Sequence, residues 1–207
     1  LLKPANMDFN AFAAKDIILG DMRYRKHETE GFPTPSGKVE LVSSVMEHLG
    51  LAPLPTYVEP PLSPVSTPEI AADYPFILMT GCKIKPFFHT ECRNIPELRR
   101  LHPRPLADMH PDTAARLGLA DGQPVIVSTP YGSQRFYLHR DDCMQPDVIH
   151  VEHAWWFAEE PGPEHGCFTS NANLLFSHEH FDPNSGAEPL KCGMCNVRPQ
   201  PGLMSMS

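Results

Sequence analysis

Proline stands at 24 of the 207 positions, more than twice the average share of roughly 5%. Each proline holds φ at about −65° and removes a backbone donor, so long helices and wide regular sheets are both discouraged. Short strands joined by long ordered loops are the expectation. The density peaks over Leu51–Pro68, where prolines stand at 53, 55, 60, 61, 64 and 68. Such a stretch is extended and PPII-like, a strap laid over a surface. It places the main boundary of the chain: 1–67 reads as a remnant of a preceding domain plus a linker, and 68–207 as the domain proper.

Beyond the strap the pattern turns to β. Phe76–Thr80 (FILMT) is a short apolar run ending in Thr80-Gly81, suited to a buried strand entering a loop. Val125–Thr129 and Gln134–His139 alternate in polarity around Pro130-Tyr131-Gly132-Ser133, a hairpin pattern. Val148–Glu152 and the Leu190–Val197 region supply two further strands. One good helix is expected from Pro111, with proline at its first position, Asp112 facing the helix dipole, and Gly118 as terminator. A second, brief helix covers Ser43–Leu49, capped by Ser43 or Ser44 and ended by Gly50. Few helices, several short strands and many loops point to a small closed β-barrel.

Charge and cysteine usage remove some function classes. The formal net charge is −8, which argues against nucleic acid as the main partner, because counterion release needs clustered Lys and Arg. A phosphate-bearing cofactor stays open, since backbone N–H groups and a few basic side chains suffice to hold one. Six cysteines spread over a chain of this size do not read as a disulfide framework. No stretch reads as a signal peptide or as a bilayer span. The sequence opens at Leu1 in what reads as internal sequence, so the compartment stays open between cytoplasm and periplasm.

Four segments, in order, carry a resemblance. They are Gly31–Leu41 (GFPTPSGKVEL), Leu78–Asn94 (LMTGCKIKPFFHTECRN), Asp108–Ser128 (DMHPDTAARLGLADGQPVIVS) and Ser170–Val197, with its N-x-N-x-L and D-x-x-S-G elements. Together they resemble the C-terminal part of the molybdopterin oxidoreductases of the dimethyl-sulfoxide-reductase superfamily. Glu152–Trp156 (EHAWW) is similar to a segment of its thiosulfate/polysulfide-reductase and acetylene-hydratase-like branches. The resemblance implies a mainly β fold, a six-stranded double-psi β-barrel with short helices and long proline-rich loops. It implies that the barrel grips a molybdopterin guanine dinucleotide. Molybdenum or tungsten, with any iron–sulfur cluster, would be ligated by upstream domains or a subunit of the same enzyme. The chain is then a piece of a longer enzyme, a split subunit or an isolated domain, and is not expected to be active alone.

Within that frame the candidate cofactor contacts are Thr80, Gly81, Cys82, His89, Thr90, Asp108, Asn173 and Lys191. Thr80-Gly81 lets backbone approach a pyrophosphate or pterin closely, because glycine adds no Cβ. Cys82 departs from the family pattern, which has Arg there, and Lys83 or Lys85 would have to substitute. His89, Thr90 and Arg93 are loop donors suited to phosphate or pterin oxygens. Asp108 could accept from the N1–H and N2–H₂ edge of guanine, with helix capping as the competing role for the Asp108–His110 segment. Asn171 and Asn173 would point the same way if extended, and an amide suits a pterin. Trp155 and Trp156 either line an active-site funnel or fill a core.

Two other classes are open. One is a free-standing carrier or assembly module for the same cofactor. The other is a zinc-binding structural module built on Cys192 and Cys195, with Cys167, His165, His178 or His180 completing the set. The competing role for the two cysteines is as small apolar residues on a barrel strand.

Overall fold

The computed structural model describes residues 2–15, 17–20, 23–182 and 185–201. Pro183 and Asn184, inside the D-x-x-S-G element, lie outside the described residues. The chain divides into two compact units, Leu1–Tyr57 and Val58–Ser207, so the second begins inside the proline-rich stretch.

Among its described residues the first unit holds a 3-10 turn (Lys3–Ala5) and three short α-helices, α1 (Phe9–Ala13), α2 (His27–Glu30) and α3 (Ser44–His48). The expected cap of α3 is present: Ser43 Oγ accepts from Met46 N at 3.2 Å. The TPSGK-x-E-L segment has a local task beside it. Glu40 accepts from Ser44 N, Ser44 Oγ and Ser36 N at 3.2, 2.6 and 3.1 Å. These serine hydrogen bonds hold its carboxyl down to about 2.

The second unit opens with α4 (Pro68–Asp73) and continues as β1 (Phe76–Thr80), α5 (Pro96–Leu101), β2 (Leu106–Met109) and α6 (Pro111–Arg116). After these come β3 (Pro124–Ser128), β4 (Ser133–Arg140), β5 (Val148–Val151) and β6 (Gly193–Pro199). The six strands close into a barrel in the order β1-β5-β2-β4-β3-β6. Two parallel pairs, β1 with β5 and β2 with β4, interleave with antiparallel ones. That mixture is what a double-psi barrel requires. Alternation does the rest: Leu78, Ala107, Met109, Val127, Phe136, Leu138, Ile149 and Val151 turn inward and are fully buried, each at most 1% exposed.

Most expected elements stand where periodicity placed them. β2 is the strand that pattern reading missed: it is four residues long, follows Pro105 and carries Asp108 on its outer face. Cys195 sits on β6 in the barrel core, where burial raises its thiol pKa far above the ordinary range. Cys192 Sγ points to Pro189 O at 3.5 Å. Among the described residues no group of three His, Cys, Asp or Glu is placed to hold a metal ion, and no helix is long and apolar enough to cross a membrane.

Candidate functional site

The site grows from one rim of the barrel, where β1 and β5 end side by side. Thr80 is 2% exposed, and its hydroxyl donates to Val151 O at 2.7 Å. The hydroxyl therefore ties β1 to β5. Gly81 follows with φ at +109°, a conformation that L side chains rarely adopt, and a Cβ there would lie 4.0 Å from Lys191 Cε. The structure thus brings Gly81 and Lys191 together at the rim, with Cys82 exposed beside them.

Behind the rim the chain builds a wall around a buried cation. Arg93 is 2% exposed, and its guanidinium lies between Phe87 and Trp155, 4.5 and 4.2 Å from the ring centroids. Nε donates to Ala154 O at 2.7 Å and Nη2 to His153 O at 3.2 Å. Burial pulls its pKa down to about 10, with Glu152 opposing and Arg99 adding to the depression. Glu152, 6% exposed, accepts from Leu106 N at 3.0 Å and Trp155 Nε1 at 2.9 Å. Its other oxygen lies 2.7 Å from His102 Nε2, out of line for a hydrogen bond. Arg93, read in the sequence as a loop donor, is a rivet that fixes the His153–Trp155 backbone from behind.

In front of that wall lies a cleft of about 560 Å³, within the size range of small-molecule sites. His153, Ala154, Trp155 and Trp156 form one side, and Thr90, Glu164, His165, Asn171 and Asn173 are among the residues facing them. Trp156 Nε1 donates to Thr90 O at 2.7 Å and locks the Thr90 loop to the wall. His165 Nδ1 donates to Glu160 O at 2.7 Å, which leaves Nε2 as the acceptor nitrogen of the neutral ring. Burial, with His89, Arg93 and His150 adding and Glu152 opposing, lowers the pKa of His153. The shift favours the neutral ring. Its Nε2 lies 3.3 Å from His89 Nδ1.

Asn171 and Asn173 share the cleft, but not as an extended pair. Asn171 caps the 3-10 turn Ala172–Leu175 by accepting from Asn173 N at 3.0 Å. This short local bond outcompetes strand geometry. The side chain of Asn173 is left on the ridge between the main cleft and a neighbouring groove of about 380 Å³.

Asp108 stands elsewhere, on the outer face of β2. Its Oδ2 meets His150 Nδ1 at 2.7 Å and its Oδ1 meets His139 Nδ1 at 2.9 Å. Burial alone would raise its pKa, but the hydrogen bonds from the two histidines outweigh it and hold the carboxyl below the usual value. Neither oxygen is without a partner, and His110 performs the capping role, accepting from Asp112 N at 3.1 Å. Of the eight sequence candidates, then, Thr90 and Asn173 line the cleft. His89 stands behind it against His153, Gly81 and Lys191 pair at the rim, and Cys82 is exposed there. Thr80 and Asp108 are engaged in holding strands together. His165 and the wall residue His153 are cleft components that pattern reading did not assign to the cofactor. The EHAWW resemblance was the available signal for the second.

Chemically the cleft offers a hydroxyl, two amides, an imidazole acceptor and an indole face, which together suit a flat heteroaromatic ligand carrying both donors and acceptors. The family model described as Molydopterin dinucleotide binding domain matches residues 76–193, β1 to the start of β6. The chain belongs to this family. The chain is 35% identical to acetylene hydratase of Syntrophotalea acetylenica over 93% of its length. It is 36% identical to dopamine dehydroxylase of Eggerthella lenta over 87% of the chain. Among solved structures it matches acetylene hydratase from Pelobacter acetylenicus with a TM-score of 0.83 at 31% identity, covering 96% of this chain and 28% of that one. The chain spans 27% and 19% of the length of the two curated relatives. Its cofactor is a molybdopterin dinucleotide.

Proposed function

We propose that this domain holds the guanine dinucleotide form of the cofactor for a larger molybdenum or tungsten enzyme, whose remaining domains or partner subunit ligate the metal. The observation that carries the reading is the cleft itself. Thr90, from the loop after β1, and Asn171 and Asn173, from the turn packed on β4, converge on the Trp155–Trp156 wall. Thr90, Asn171 and Asn173 would hold the heterocycle through hydroxyl and amide hydrogen bonds, with Trp156 at its face and His165 Nε2 accepting one N–H. The rim pair Gly81 and Lys191 suits a phosphate, since glycine keeps the approach open and the ammonium supplies charge. When bound, the cofactor supplies the metal-centred chemistry, and the chain orients it and keeps one face dry.

The named relatives perform different chemistry, one a hydratase and the other a dehydroxylase. That difference fits a division of labour in which this domain grips the cofactor and the reaction is selected elsewhere. Calorimetry with GDP on the chain and on Asn173→Ala tests the reading. Saturable binding weakened about tenfold by the substitution, the loss of one or two hydrogen bonds, is expected. Equal binding by both forms would remove Asn173 from the site, and no binding by the folded chain would remove the cleft.

A further inference from the structure

Beside the cleft wall lies a second, smaller pocket of about 10 Å³, lined by Lys83, Ile84, Phe87, His89, Arg93 and His153. Each polar side chain around it is a base, and no carboxylate lines it. Two of the three guanidinium nitrogens of Arg93 are bound to the carbonyls of Ala154 and His153. The third, Nη1, is buried without a partner, and so is Nδ1 of His153. A buried donor left unmatched carries its full desolvation penalty, and a charged one carries more. Glu152, the carboxylate that acts on Arg93, already accepts from Leu106 N and Trp155 Nε1 with the oxygen Oε2.

We infer that this pocket is a seat for one small anionic atom, either a halide ion or a single phosphate oxygen. An anion offers acceptor capacity alone, which suits Arg93 and Lys83, the two groups in the lining that can only donate. The size agrees, since about 10 Å³ is room for one small atom. The neighbouring imidazoles also agree. In the neutral His153 ring, which its surroundings favour, an anion selects the tautomer with hydrogen on Nδ1, and Nε2 then accepts from His89 Nδ1, 3.3 Å away. Because His153 lines both this pocket and the cleft, an oxygen of the dinucleotide's diphosphate, whose other phosphate meets the rim pair, is one source of the anionic atom. That source rests on the dinucleotide reading above, while a free halide does not.

Lys83 is exposed on a loop, so Lys83→Glu tests the pocket without disturbing the buried wall. Thermal melts and the fluorescence of Trp155, whose ring lies 4.2 Å from Arg93, are followed as chloride or bromide replaces gluconate at fixed ionic strength. With a halide in the pocket, both signals saturate, and the half-saturating concentration rises at least tenfold in Lys83→Glu. With a phosphate oxygen as occupant, GDP binds about tenfold more weakly to Lys83→Glu and competes with chloride, while guanosine binding does not change. Halide effects that Lys83→Glu leaves untouched, or no halide effect together with GDP binding indifferent to both chloride and the substitution, overturn the pocket. If GDP fails to bind but the halide effect is present and sensitive to Lys83→Glu, the pocket stands and the dinucleotide reading falls.

Discussion

Gly132, in the β3–β4 hairpin, is the place where a single methyl group would pass from barrel to cleft. A Cβ added there would meet Leu174 O at 2.7 Å and Leu174 C at 3.7 Å. An ordinary carbon–oxygen contact needs more than 3 Å, and the obstacle is backbone, which cannot rotate away as a side-chain tip can. Either the hairpin or the Ala172–Leu175 turn must shift by about half an ångström. The hairpin is held on its own account, by Thr129 N to Gly132 O at 2.8 Å and by Thr129 Oγ1 accepting from Tyr131 N and Gly132 N at 3.1 and 3.3 Å. The turn, held at its start by the Asn171 cap, is the part that gives. Overpacking of this kind costs about 1–3 kcal/mol. With a urea m-value of about 2 kcal/mol/M for a domain of this class, Gly132→Ala should lower the unfolding midpoint by roughly 1 M without changing m. Displacing Leu174 also moves its neighbour Asn173, so GDP affinity should fall beyond what Asn173→Ala leaves to lose. Urea melts followed by circular dichroism, beside calorimetry on the folded variant, read both effects. A midpoint unchanged within about 0.2 M would refute the claim that the hairpin and the cleft turn are in rigid contact.

Two further outcomes follow from the same geometry. Asp108 has a folded pKa depressed below its unfolded value of about 3.9, so its stabilisation is fully present above that value and is lost as pH falls through the folded one. Asp108→Asn should therefore lower stability at pH 7 and flatten the acid limb of a stability–pH curve below about pH 4; an acid limb equally steep in the variant would count against the His139–Asp108–His150 bridge. Trp156→Phe removes the donor to Thr90 O, and about 1 kcal/mol of stability should go with it. Amide exchange in the Thr90 loop should accelerate at the same time, and unchanged protection there would show that the indole does not hold the loop.

The barrel was legible in the sequence wherever a strand announced itself by alternation. Phe76–Thr80 and the β3–β4 hairpin are local patterns, set by side-chain period and turn chemistry. β2 escaped because Leu106–Met109 is short and its outward residue is a charged one, made acceptable by His150 on β5 and His139 on β4. Those partners are distant in sequence, and no local pattern announces them. Arg93 illustrates the same limit: in a polar loop an arginine reads as a surface donor, and only the arrival of Phe87 and Trp155 on either side makes it a buried rivet. Thr90 and Asn173 were found through the family resemblance and do face the cleft. Thr80 and Asp108 have the right chemistry for ligands, but tertiary packing has turned that chemistry toward neighbouring strands. Asn171 was read for strand geometry, and the strength of its own cap decided otherwise.

The position of β6 in the ring has a consequence for how the domain comes into being. β6 is the last barrel strand in the chain, yet it stands between β1 and β3, pairing Phe76 with Cys195 and Val125 with Pro199. Until it is synthesised, a nascent chain presents two unpaired edges, and β6 must join β1, over a hundred residues away in sequence, and β3, about seventy away. Closure of this kind is slow, because the long loops must be ordered before any pairing rewards them. The barrel is thus completed only after the whole domain has left the ribosome, with its open edges vulnerable to self-association in the interval.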